Sequence, residues 1–212
     1  MRLLPRTISS VGVALATLPL ALGALATPGL TPQAIAAQGQ TALASPQPLP
    51  TAQINGVVWD QTIVGNVVYV VGEFDQARPA GSPDKQNESP RSNAMAYDIT
   101  TGALLDWAPK VNGKISSVEA SADGSTIYLG GNFTSVNDET VYRVAAVDAA
   151  GQYKPLNGGT PGGAVSPNGT VRDLELSPDG STLYMAGLFT QVNDLERLRA
   201  AALDLKTQQV TS

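Results

Sequence analysis

Neither cysteine nor histidine occurs anywhere in the 212 residues. Without cysteine no disulfide can staple the fold, which disfavours a small disulfide scaffold; the chain must hold together by packing alone. Without either residue, Cys/His zinc centres, Ser-His-Asp and Cys-His nucleophilic catalysis and histidine proton transfer are all excluded. Clustered positive charge is missing too. The formal net charge is −5, and an acidic surface repels phosphate backbones, so nucleic acid is not an expected partner. No polybasic patch points to an anionic membrane, and no stretch sustains a helical period.

What is present begins with a leader. Residues 1–6 carry two arginines, and residues 11–26 are apolar, uncharged and rich in Ala and Leu. Small residues follow, with Ala24-Leu25-Ala26 and Ala34-Ile35-Ala36 as candidate cleavage sites. This layout is that of a secretory signal peptide over residues 1–36, cut after residue 26 or 36. The apolar run is shorter than the ~20 residues of a membrane span. The expected product is secreted or held at the cell surface, with no stable membrane insertion once the signal is removed. Residues 37–54, rich in Ala, Pro, Gln and Thr, read as a flexible linker.

The rest of the chain is a repeat. Residues 112–148 (NGKISSVEASADGSTIYLGGNFTSVNDETVYRVAAVD) align without a gap to residues 168–204 (NGTVRDLELSPDGSTLYMAGLFTQVNDLERLRAAALD), with 19 of 37 positions identical. A more divergent copy opens at Asn55-Gly56. Its Val64-Gly65-Asn66 replaces the longer turn at 121–125, and its polar insertion, residues 76–93, falls in a loop. Insertions confined to turns are what a repeat of β-strands produces. The units are 55–111, 112–167 and 168–212, the last cut short. None is large enough for a core of its own, so the units must stack.

Within each unit the pattern reads strand, Asp-Gly turn, strand, loop, strand. Strands are expected at 115–120 and 171–176, 126–130 and 182–186, and 142–148 and 198–204. A weak fourth strand is expected near Leu104-Leu105-Asp106-Trp107 and at 152–156. The fold class is therefore all-β: a β-propeller-like array of antiparallel blades of three to four strands. Propellers close with about four to eight blades. About three are present, so the reading is a piece of a larger propeller, or a ring completed by further chains.

The recurring phrase from Asn-Gly through Asp-Gly, Tyr, Gly and Phe-Thr to Val-Asn-Asp resembles the delta-60 type repeat. The matching positions are Gly113, Asp123, Gly124, Tyr128, Gly131, Phe133, Thr134 and Asp148, with their partners 56 residues later. The first copy departs from it by lacking the Asp-Gly turn. The resemblance implies an exported bacterial β-propeller and no common catalytic residue.

Several residues invite a chemical reading and have a simpler one. Asn137-Asp138-Glu139 and Asn193-Asp194 offer oxygens to calcium, but two or three carboxylates fall short of its six to eight ligands, and loop turns explain them. Asp123 and Asp179 precede glycine in hairpin turns; Asp148 and Asp204 end strands. Glu119 and Glu175 could form a glycosidase pair, but they are repeat equivalents on different blades and read as solvent-facing strand residues. Phe133, Phe189, Tyr128 and Tyr184 recur as blade core rather than as a sugar platform. Trp59 and Trp107 are less regular, and whichever is exposed is the better ligand contact. The connector at 157–169 lacks the Gly-Lys-Ser/Thr ending of a phosphate loop. Sequons at Asn87, Asn132 and Asn168 matter only in a glycosylating host.

No catalytic, cofactor-binding or metal residue is assigned, and no cofactor is expected. The function expected is a non-enzymatic binding module or scaffold at the cell envelope, with an envelope protein or glycan as partner, engaged chiefly through the 76–93 insertion. The alternatives are a propeller enzyme acting on glycans with its site in blades not present here, or a spacer for another domain.

Overall fold

The structure, a computed structural model, describes residues 49–157 and 164–211; the expected signal peptide, most of the expected linker, the centre of the glycine-rich connector and Ser212 lie outside the described residues. The described chain is all-β. The first unit contains β1 (Gln53–Ile54), β2 (Val57–Val64), β3 (Val67–Glu73), β4 (Gln76–Arg78), β5 (Ser89–Pro90) and β6 (Ala94–Asp98). The second contains β7 (Ile115–Ala120), β8 (Thr126–Gly131), β9 (Ser135–Val136), β10 (Glu139–Thr140), β11 (Val144–Asp148) and β12 (Tyr153–Lys154). The third contains β13 (Val171–Leu176), β14 (Thr182–Gly187), β15 (Gln191–Val192), β16 (Leu195–Glu196), β17 (Ala200–Asp204) and β18 (Gln209–Val210). Each unit builds one antiparallel blade: β2-β3-β6, β7-β8-β11-β12 and β13-β14-β17-β18.

The turns between the first two strands follow from their residues. In the second blade Gly124 takes φ +68°, and Asp123 Oδ1 accepts from the Ser121 hydroxyl at 2.6 Å and from the Ser125 N–H at 3.0 Å. Ser121 Oγ in turn accepts from the Thr126 N–H at 3.0 Å. Ser177, Asp179, Gly180, Ser181 and Thr182 repeat the arrangement in the third blade. The first blade manages with two residues between Val64 and Val67, and Gly65 supplies the positive φ. The Asn-Gly that opens each unit is a staple. Asn112 Oδ1 accepts from the N–H groups of Thr134 and Ser135, and Asn55 and Asn168 do the same for 75–76 and 190–191. The glycine before each buried phenylalanine marks a close backbone approach: a methyl on Gly131 would lie 2.2 Å from the Lys114 carbonyl oxygen.

Three expectations need adjustment. The third strands start two residues late, at Val144 and Ala200, because Arg143 (φ +66°) and Arg199 (φ +72°) are left-handed and break the strand. The third blade keeps its fourth strand, β18, whereas in the first blade that strand shrinks to a single bridge, Tyr97 to Leu104. The 76–93 insertion is partly folded: β4 pairs with both β5 and β1, so Gln53–Ile54, at the end of the linker, joins a small sheet.

Blades stack face to face through two side-chain sets. Tyr69, Val71, Ala94 and Ala96 of the first blade pack on Ile115, Val118, Ile127, Leu129, Ala145 and Val147 of the second. Tyr128, Val144 and Ala146 on the opposite face of the second blade pack on Val171, Leu174, Leu183, Met185 and Leu203 of the third. Tyr69, Tyr128 and Tyr184 hold one repeat position. The first two are 5% and 7% exposed, but Tyr184 is 51% exposed, because no further blade lies against that face among the described residues. The expectation that Tyr184 is blade core is corrected on this ground. A polar chain crosses the same seams. Asp60 Oδ2 accepts from the Ser117 hydroxyl at 3.0 Å and the Val118 N–H at 2.9 Å, and Ser117 Oγ accepts from the Leu174 N–H at 3.1 Å.

Candidate ligand-binding site

The first strand of every blade carries a β-bulge at one repeat position. Pairing with the second strand slips between Val58 and Asp60, between Ile115 and Ser117, and between Val171 and Asp173. The residues left without a ladder partner are Trp59, Ser116 and Arg172. A bulge re-aims the extra side chain and bends the strand, which is why bulges gather beside functional sites. The residue after each bulge is Asp60, Ser117 or Asp173, and the first two supply the polar chain between blades.

The three bulge residues share one cavity of about 510 Å³, completed by Lys114, Asn132, Thr170 and Leu188. Its wall therefore draws on all three blades. Trp59 is 52% exposed, and the Lys114 ammonium stands 4.4 Å from the centre of its ring. A cation over an indole face is held by the ring quadrupole. No Asp or Glu lines the cavity, although the chain as a whole is acidic. Asn132, Ser116 and Thr170 add groups that both donate and accept hydrogen bonds. The combination suits a ligand with an apolar face, several hydroxyls and negative charge.

Of the two tryptophans, then, Trp59 is the exposed one. Trp107 is 4% exposed, donates from Nε1 to the Asp148 carbonyl at 3.1 Å, and meets Tyr69 edge-on at 4.9 Å between ring centres. Phe133 and Phe189 are buried in the blade cores.

The other candidates fall to structural roles. Asn137-Asp138 and Asn193-Asp194 are left-handed at both positions and form the two-residue turns of the hairpins β9–β10 and β15–β16. The Asn137 amide accepts from the Lys110 N–H and donates to the Gly151 carbonyl. Asp148 and Asp204 accept backbone N–H bonds in the turns that follow them. Asp123 and Asp179 are pulled down to about 2, first by the hydroxyls of Ser121 and Ser177 and then by backbone N–H donors. In the 76–93 insertion Arg78 pairs with Asp84 at 3.2 Å.

Glu119 and Glu175 differ from their simple reading. They do sit on different blades, yet β7 and β13 lie side by side, and the Glu175 charge reaches the Glu119 carboxyl. Burial pushes the Glu119 carboxyl up, and the charges of Glu175, Asp60 and Asp173 add to it. Glu175 itself is exposed.

Lys114, Ser116, Thr170, Arg172 and Leu188 carry no motif that singles them out, and Asn132 stands out only as a sequon. The available signal was indirect. At each of these positions the second and third copies differ (Lys114/Thr170, Ser116/Arg172, Asn132/Leu188) while the glycines and phenylalanines beside them are identical.

No protein-family model matches the chain. No curated protein matches it either. Among solved structures it is similar to a structural-genomics protein of unknown function from Bacteroides thetaiotaomicron, at 16% identity and a TM-score of 0.46, over 74% of this chain and 31% of that one. It is similar to hydrazine synthase of Kuenenia stuttgartiensis at 14% identity and a TM-score of 0.41, over 82% of this chain and 51% of that one. It is similar to a GH74 enzyme of Niastella koreensis at 14% identity and a TM-score of 0.39, over 73% of this chain and 29% of that one. The chain thus spans about half or less of the length of each, and likeness this distant assigns no activity.

Proposed function

We propose that this chain is a binding module of the cell envelope, exported by its leader, which holds its ligand in the cavity at the three bulges. The observation that supports the reading most is the convergence of Trp59, Ser116 and Arg172, one from each blade, on a single cavity. Rigid blades fix those residues, and fixed polar groups around an apolar contact are what a small-ligand site requires. This moves the expected contact surface away from the 76–93 insertion. That segment's own pairings, β4 with β5 and Arg78 with Asp84, leave it less free to serve as a binding loop. Binding of envelope saccharides, followed by Trp fluorescence and calorimetry, tests the proposal. Trp59→Ala should abolish binding and deletion within the insertion should not; the reverse pattern refutes it.

A second reading, a glycan-active enzyme, draws on Glu119. A half-buried carboxyl raised by burial and by a neighbouring carboxylate has the character of a general acid. Release of reducing ends from polysaccharides, lost in Glu119→Gln, would establish it.

A further inference from the structure

We infer that the ligand of the bulge cavity is an acidic saccharide, its carboxylate held between Lys114 and Arg172 and its sugar ring laid against Trp59. The inference rests on the proposal above and adds the ligand's chemical class.

Three observations converge. First, the cavity wall contains two cations and no acid. Among the described residues neither cation takes part in an ion pair, and the one salt bridge joins Arg78 and Asp84 elsewhere. Lys114 instead rests on an indole, a contact that holds the ammonium in place without neutralising it. The strands beside it carry Asp60, Glu119, Asp173 and Glu175, yet none of these acids forms an ion pair with either cation. Asp60 is already committed to Ser117 and Val118. An incoming anion therefore meets two charges that the protein leaves available.

Second, Trp59 is 52% exposed, like its strand neighbours Val57 and Val58, but it alone of the three lines the cavity. It is the residue the bulge leaves without a ladder partner, and its ring lines the cavity. An indole face of this kind offers the apolar surface that the C–H face of a sugar ring can cover.

Third, Asn132, Ser116 and Thr170 line the same space and can both give and accept hydrogen bonds. An inorganic oxyanion can only accept from such groups, whereas a sugar's ring hydroxyls both donate to them and accept from them. Arg172 offers the planar fork that matches a carboxylate, and Lys114 adds a point charge.

The test uses the full chain and three named probes: trigalacturonic acid, neutral maltotriose and inorganic sulfate. Trp fluorescence reads the site, since Trp107 is buried and hydrogen-bonded while Trp59 is open; Trp59→Phe identifies which indole responds. Calorimetry supplies a readout that does not depend on Trp59. Trigalacturonate should bind, and binding should weaken as salt rises through the screening range. Arg172→Ala and Lys114→Gln should each weaken it ~10- to 100-fold, the scale of one charge-assisted contact. Arg172→Lys should restore part of the loss. Near-UV circular dichroism confirms that each variant keeps its fold. Equal binding of maltotriose and trigalacturonate, indifferent to Arg172→Ala but lost in Trp59→Ala, overturns the acidic class and leaves the cavity's role standing. Binding of sulfate as tight as that of trigalacturonate overturns the saccharide. Absence of trigalacturonate binding overturns the inference outright.

Discussion

Truncating the same tyrosine in two blades should have unequal consequences. Tyr128 is 7% exposed and packs across the seam between the second and third blades; Tyr184, its repeat equivalent, is 51% exposed. Sequence around the two is nearly the same, so intrinsic strand preference cancels in the comparison. The difference in burial, roughly two-fifths of a side chain that presents ~200 Å², is ~90 Å², or ~2 kcal/mol at ~25 cal/mol per Å². Removing a buried aromatic also leaves a cavity, and such changes cost about 3–5 kcal/mol in all. Tyr128→Ala should therefore destabilise the chain by ~3 kcal/mol and Tyr184→Ala by ~1 kcal/mol or less. Equilibrium unfolding in urea measures this. With a slope of ~2 kcal/mol per M, the midpoint should fall by ~1.5 M for Tyr128→Ala and by no more than ~0.5 M for Tyr184→Ala. Tyr69→Ala, at 5% exposure, should behave like Tyr128→Ala. Equal midpoint losses for Tyr128 and Tyr184 at unchanged slope would refute the argument. They would mean that the face of the third blade is covered in solution, or that the seam contributes less than its burial implies.

Further outcomes follow from the hydrogen bonds and carboxylates. Ser117→Ala deprives the Leu174 N–H of its acceptor and Asp60 of a donor, and should cost ~2 kcal/mol in the same urea experiment. Asp123 and Asp179 have folded values of about 2, below their ordinary 3.8, so the stability they contribute is complete above pH 3.8 and is lost as the pH falls towards 2. The double variant Asp123→Asn, Asp179→Asn should flatten the fall in stability across that window, as measured by thermal melts from pH 5 to 2. Glu119 shifts the other way: raised by burial and by Glu175, it favours the folded state most at low pH and loses that contribution as the pH rises through its folded value. Glu119→Gln should raise the melting temperature at pH 7 but not at pH 3, and Glu175→Gln should lower the titration midpoint of Glu119 followed by carboxyl NMR.

The architecture was legible because packing and turns repeat. Strands 115–120 and 171–176 coincide with β7 and β13, since alternation within them is bounded by Asn-Gly on one side and Ser-x-Asp-Gly on the other. The third strands were misplaced by two residues because nothing in an arginine signals a positive φ; Arg143 and Arg199 take it in a context set by the chain around them. The fate of Tyr184 was illegible for a different reason. Its identity is that of Tyr69 and Tyr128, and only the neighbouring blade decides burial. The proximity of Glu119 and Glu175 was hidden by their separation of 56 residues, which a repeat read linearly treats as distance and stacked first strands convert into adjacency.

The cavity was the least legible feature, and the reason bears on how a repeat acquires function. A residue in the ladder answers to its partner across the strand and to the blade beyond, and several such positions are identical in the two copies: Thr126 with Thr182, Tyr128 with Tyr184, Gly131 with Gly187. A bulged residue answers to neither, because the extra position has no ladder partner. Its backbone can be inherited from copy to copy while its side chain is free to become Trp59, Ser116 or Arg172. The repeat thus supplies the same bulge three times over and places three unrelated side chains around one cavity. Exchanging the bulge residues between blades, as in Ser116→Arg with Arg172→Ser, should leave stability within ~0.5 kcal/mol because no ladder contact changes. It should nevertheless alter binding, because the cation moves from the third blade to the second. A loss of stability of ~2 kcal/mol or more in that double variant would show that these positions serve the fold after all.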